Sequence, residues 1–248
     1  MSYLDPRGLA FVFCVCSKCG STSFLSSTWE ALTGVSWPET AHFWPHDIDK
    51  WHTLAECGPN CQRAGDSKAL GRRPDFQVWL TRDPIDRLVS AYHSKVQCCG
   101  ARNHREPCYP DRNANFVPKM ARLAGIPPQS CFFFDEYVEA LATVNEKHLQ
   151  ANLNPHFMPQ HLYCPITDDV PLIMMNISQF GDFANDFHFF VDAHGNELAY
   201  LPRVSHNTPR GNFTMTDYDF RLLLKVTQDE YMAMKRQPWS PAAYSVIH

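Results

Sequence analysis

Residues 9–16, Leu-Ala-Phe-Val-Phe-Cys-Val-Cys, are apolar at every position. A short run of this kind, apolar on both alternating faces and rich in β-branched and aromatic side chains, is the pattern of a strand buried on both sides, as in a parallel sheet. Small and polar residues follow at 17–21 with Gly20 in the turn, and a helix is expected over about 22–32, stopped by Gly34 and Pro38. Residues 76–80, Phe-Gln-Val-Trp-Leu, have the pattern of a second buried strand. Thr81, Arg82 and Asp83 break it, and Pro84 suits the first position of a helix over 84–97 that puts Leu88, Ala91 and Tyr92 on one face.

Parts of 47–56 suit a helix. Residues 98–130 hold Pro107, Pro110, Pro118, Pro127 and Pro128 and read as an irregular insertion. Residues 132–148 are amphipathic and helical in pattern, 154–165 are loop, and 171–176 are a third strand. A helix is expected to open over 179–187, and 203–213 are a polar loop. Residues 216–235 form a strong helix, with Thr216 as cap and Asp219 placed to complete a capping box. Strands alternating with helices predict an α/β fold whose central, mostly parallel sheet is covered by helices on both faces. In such sheets ligands bind beyond the carboxyl ends of the strands, where the loops at 17–22 and 81–90 fall.

A chain of 248 residues is long enough for one large α/β domain. Its net charge of −4 gives no clustered basic surface for a nucleic acid, so an anionic ligand has to be held by a few placed residues. No run is long enough for a membrane span, and none has the form of a signal peptide. The ten cysteines do not follow zinc spacings. Disulfides within 98–108 are one expectation, for an oxidising compartment; free thiols are the other.

Behind a buried strand, the first loop brings backbone N–H groups and a helix N-terminus to one spot, which favours an anion. Gly20 lets the backbone approach, Ser21, Thr22 and Ser23 add hydroxyls, and Lys18 adds charge. The nucleotide-triphosphate loop G-x-x-x-x-G-K-[ST] does not fit, because the lysine precedes the glycine and Val15 stands where its first glycine belongs. In the second loop Arg82 leaves the strand end and Ser90 follows two helical turns later. Together they suit a second compact anion; apart, Arg82 could simply pair with Asp83 or Asp86.

Ser-Lys-Cys-Gly-Ser-Thr-Ser-Phe at 17–24 resembles the 5′-phosphosulfate loop of sulfotransferases that use PAPS, 3′-phosphoadenosine-5′-phosphosulfate. Leu-Thr-Arg-Asp-Pro-Ile-Asp-Arg-Leu-Val-Ser-Ala-Tyr-His-Ser-Lys at 80–95 resembles their 3′-phosphate segment. Asn-Pro-His-Phe-Met-Pro-Gln-His-Leu-Tyr-Cys at 154–164 resembles a His-aromatic-x-Pro-Gln…Cys stretch of the Golgi carbohydrate group, the heparan sulfate 2-O and chondroitin 4-O types. Ser17 stands where many members have proline, and Cys19 replaces a common Ser, Thr or Val.

The resemblance implies a P-loop-like sulfotransferase domain over 1–248, with 98–130 as its insertion. It implies that Lys18 and residues Cys19, Gly20, Ser21, Thr22 and Ser23 hold the donor's 5′ end, that Arg82 and Ser90 hold its 3′-phosphate, and that Arg210 and Gly211 touch it from a C-terminal loop. The acceptor would be a hydroxyl, on a carbohydrate, with no metal involved. Its proton would go to His46 or, second, to His52; His42 and His156 are lesser candidates. The family implies the Golgi lumen, although the chain shows no anchor. Two other readings stay open: a P-loop nucleotide kinase or phosphotransferase, and an inactive nucleotide-binding module of the same fold.

Overall fold

A computed structural model of the chain describes residues 2–4, 10–38, 40–42, 45, 47–57, 73–109, 116–144, 155–164, 169–176, 214–234 and 245–247. The chain packs as two compact units, residues 1–81 with 166–208 and residues 82–165 with 209–248. The strand expected over 9–16 is β2 (Ala10–Val15), and those over 76–80 and 171–176 are β3 (Phe76–Thr81) and β4 (Leu172–Asn176).

In the first unit these strands form a sheet with β1 (Ser2–Leu4) in the order β1-β2-β3-β4. β2, β3 and β4 are mutually parallel, with Val15 opposite Leu80 and Thr81 opposite Asn176, and β1 adds an antiparallel edge. β2 and β3 are the inner strands, and in β3 Val78, Trp79 and Leu80 are buried. Polar side chains lock the register at both ends. The Ala10 N–H donates to the Asp75 carboxylate at 2.8 Å, and the Thr81 hydroxyl donates to the Met175 carbonyl at 3.0 Å. α1 (Ser21–Thr33) follows β2 and buries Phe24, Leu25 and Trp29, the Phe24 ring lying 5.6 Å from Phe13. It ends at Gly34, where φ is 75° and the N–H closes on Glu30; only glycine takes that conformation without a Cβ clash. A short 3₁₀ helix, Ile48–Thr53, lies within the stretch expected to be partly helical.

In the second unit α2 (Pro84–Lys95) carries the expected apolar face. Ile85, Leu88 and Tyr92 pack with α3 (Val117–Leu123), α4 (Phe134–Thr143) and α6 (Asp217–Ala233) into one core. Phe116 and Phe157 stack at 4.5 Å, and the buried Tyr137 hydroxyl donates to the Leu88 carbonyl at 3.0 Å. Each such side chain contributes about 1.5–3 kcal/mol when fully buried. The capping box opens α6 as expected: Asp219 N–H donates to the Thr216 hydroxyl, and Thr216 N–H to the Asp219 carboxylate, both at 3.1 Å. β5 (Thr214–Thr216) pairs in parallel with β6 (Ser245–Ile247), a contact the sequence pattern did not suggest.

The insertion is more ordered than its prolines imply. Disulfides Cys98–Cys131 and Cys99–Cys108 cross-link it, and α3 runs through it because Pro118 stands in the first helical turn, where no N–H is required. The loop at 154–165 contains one helical turn, α5 (Gln160–Tyr163). The helix expected over 179–187 and the loop over 203–213 lie outside the described residues. None of the described cysteines is free, which corrects the free-thiol expectation.

Candidate functional site

The first anion loop belongs to the unit built on the sheet. β2 ends at Val15, the chain turns, and Cys19 N–H donates to the Cys16 carbonyl at 3.1 Å. A Cys16–Cys19 disulfide closes the turn around Lys18. Lys18 has φ of 67°, the left-handed region that a side-chain-bearing residue enters at a cost of about 1–3 kcal/mol. Strain of this kind persists where surrounding bonds over-determine the backbone, and the disulfide and the turn do that here. Gly20, with φ of 79°, is the N-cap of α1 and supplies no capping side chain, and no acidic residue stands in the first turn. The partial positive charge of a three-turn helix therefore meets no carboxylate of its own. Lys18, Gly20, Ser21, Thr22 and Ser23 are half-buried around this end, so charge, hydroxyls and N–H groups gather there. Cys19 is fully buried and disulfide-bonded, so only its backbone can serve a ligand.

The second segment belongs to the other unit and is built differently. The N-terminus of α2 is already satisfied: Asp83, buried, accepts the Asp86 N–H at 3.0 Å, and Pro84 has no N–H to offer. The Tyr231 hydroxyl donates to the other Asp83 oxygen at 2.6 Å and fixes the cap against α6. Arg82 pairs through Nε with the Asp86 carboxylate at 2.6 Å, which holds one edge of its guanidinium. Ser90 is half-buried on α2.

Behind Arg82 lies a buried polar network. Gln160 accepts the Arg82 N–H with Oε1 and donates Nε2 to the Arg82 carbonyl, both at 2.9 Å. Its backbone N–H and Nε2 also donate to Glu230 Oε1, at 2.9 and 2.6 Å. The other Glu230 oxygen accepts from Arg87 at 3.2 Å, and Arg87 donates as well to the His156 carbonyl at 3.0 Å. Gln160, Arg87 and Glu230 are all buried. Sequence reasoning missed this network. Gln160 stood in the Pro-Gln stretch without a role, and Glu230 has no local signal, lying 70 residues from Gln160. The Cys16–Cys19 bridge did have one, a C-x-x-C spacing at the strand end.

His52 is exposed on the 3₁₀ helix and His42 is exposed in the preceding loop. His156 is half-buried and contributes its carbonyl to Arg87. His46, Arg210 and Gly211 lie outside the described residues.

Residues 4–195 match the model of the Sulfotransferase family, a span that includes both loops and the 154–164 stretch, and the chain belongs to that family. No curated protein and no solved structure matches it. Sulfuryl transfer is the chemistry of the family, and the protein is a transferase of that kind. Among the described residues no helix is long and apolar enough to cross a membrane.

Proposed function

We propose that the protein moves the sulfuryl group of PAPS to a hydroxyl of a carbohydrate by in-line transfer, on a P-loop-like fold with helices over both sheet faces. The observation that carries the reading is the loop at α1: an uncapped helix N-terminus free of acidic residues, with Lys18 held beside it in a left-handed backbone by the Cys16–Cys19 bridge. Lys18, the hydroxyls of Ser21, Thr22 and Ser23 and the backbone of Cys19 and Gly20 hold the 5′-phosphosulfate. Arg82 and Ser90 hold the 3′-phosphate, with Arg210 and Gly211 closing from the C-terminal loop. The parallel register of β2 and β3 supports this division, since their carboxyl ends lie side by side and Arg82 follows directly on Thr81.

In the reaction the acceptor oxygen forms a bond to sulfur while the bond from sulfur to the bridging phosphate oxygen breaks. The acceptor's proton passes to His46, or to His52 as the second candidate, because a near-neutral imidazole suits a general base. The negative charge that leaves with the phosphate grows beside Lys18 and the α1 amides. Positioning and preorganised charge do most of the work in transfers of this type, and no metal is needed.

The disulfides support an oxidising compartment, for which we propose the Golgi lumen. Asn176, in an acceptor pattern for glycosylation, is the last residue of β4 and pairs with Thr81, which argues against its modification.

The test is transfer of labelled sulfate from PAPS to a panel of glycans, by the wild type and Lys18→Ala. Wild-type transfer should fall by about 100-fold or more in the variant, the loss typical when one preorganised charge is removed from a leaving group. A variant that turns over like the wild type would remove Lys18 from the mechanism. Tight binding of ATP–Mg²⁺ with no response to PAP, the desulfated donor, would favour a kinase instead.

A further inference from the structure

We propose that Gln160 is the positioning residue for the 3′-phosphate arginine, gripping Arg82 by its peptide while Glu230 fixes the orientation of the gripping amide. The inference rests on the reading of Arg82 as the ligand of that phosphate.

A peptide group inside a sheet is held by the N–H and C=O of a neighbouring strand. Arg82 is the first residue past β3, and in the second unit a primary amide does the equivalent work. Gln160 Oε1 takes the Arg82 N–H and Nε2 serves its carbonyl, both at 2.9 Å. The amide cannot be turned over without setting donor against donor and acceptor against acceptor. Its second Nε2 hydrogen goes to Glu230 Oε1 at 2.6 Å, and that carboxylate is itself anchored by Arg87.

Burying a long, rotamer-rich side chain costs entropy that a simple apolar filler would not incur. The return is that both Arg82 backbone groups are satisfied and the Cα–Cβ direction of the arginine is set. Asp86 then holds the Nε edge of the guanidinium from one turn along the helix. Backbone and side chain of Arg82 are thus each fixed by a separate partner, as a bidentate phosphate contact requires.

The test uses the full chain with disulfides intact and compares binding of PAP with AMP, which carries the same 5′-phosphate but no 3′-phosphate. Gln160→Met removes both hydrogen bonds to the Arg82 backbone at similar volume; Gln160→Asn keeps an amide too short to span the two backbone groups, and serves if the first variant does not fold. Arg82→Ala sets the floor. Each Gln160 variant should lose PAP affinity by about tenfold or more, the scale of one charge-assisted hydrogen bond, with AMP affinity unchanged. In the Arg82→Ala background the same change should have no further effect on PAP. A Gln160 with only a structural role would lower both affinities alike, or neither, and either result overturns the proposal. A wild-type preference for PAP that Arg82→Ala abolishes and the Gln160 variants retain overturns it alone. A wild type that does not prefer PAP over AMP overturns the donor reading and this inference with it.

Discussion

Glu230→Ala strands Arg87 in a place where its side chain is 1% exposed. The guanidinium keeps the His156 carbonyl at 3.0 Å but loses its carboxylate, and Gln160 loses the acceptor of its backbone N–H and one of the two acceptors of its Nε2. Breaking a buried ion pair from one side costs about 3–5 kcal/mol, because a charge is left without water or partner. Domains are stable by only about 5–15 kcal/mol in all. For a chain of this size each kcal/mol moves the thermal midpoint by about 2–4 °C, so a fall of about 6–20 °C is expected. The controls separate charge from shape. Glu230→Gln keeps an acceptor oxygen for Gln160 but leaves Arg87 without its counter-charge, and combining it with Arg87→Met removes both charges and should recover most of the loss. Urea unfolding without reductant gives the free energies. A Glu230→Ala cost below about 1 kcal/mol, or a double variant no better than Glu230→Ala, would refute the claim that this pair is a buried, mutually dependent one.

Two other predictions concern the disulfide-linked segment. Removing Cys98–Cys131 with paired alanines should destabilise the chain by about 3–4 kcal/mol and removing Cys99–Cys108 by about 2–3, since the loops closed span 33 and 9 residues; equal costs in urea unfolding would contradict the chain-entropy account. Burial pushes the Glu136 carboxyl up, but the Arg105 guanidinium and the Phe133 N–H outweigh it and hold the group below the usual glutamate value. A carboxyl depressed on folding adds stability that is full above its unfolded value of about 4.3 and fades as pH falls through its folded one. The stability gap between wild type and Glu136→Gln should therefore stay flat above about pH 5 and narrow below about pH 4; a gap that does not change with pH contradicts it.

Local patterning was enough for the elements. Three apolar runs became the three parallel strands, and Gly34 and Thr216 marked helix ends. These features depend on residues within a few positions of one another, where propensity, capping and alternation act directly. Pro-rich 98–130 misled because proline at a first turn and proline in a loop look alike until the chain is folded. Cysteine pairing was legible only in part: Cys99–Cys108 falls within the expected 98–108 stretch, but Cys98 bonds to Cys131, not to the nearer Cys108, and only the fold decides that. The partners of Arg82 divide along the same line. Asp86, four residues away on a helix, was foreseeable as a neighbour; Gln160, 78 positions further along the chain, and the Glu230 that holds Gln160 were not. Residues whose chemistry suits an anion can be picked out by their types and spacing. Those that aim them are chosen by tertiary packing, because a buried peptide takes whichever polar group the fold brings within hydrogen-bonding distance.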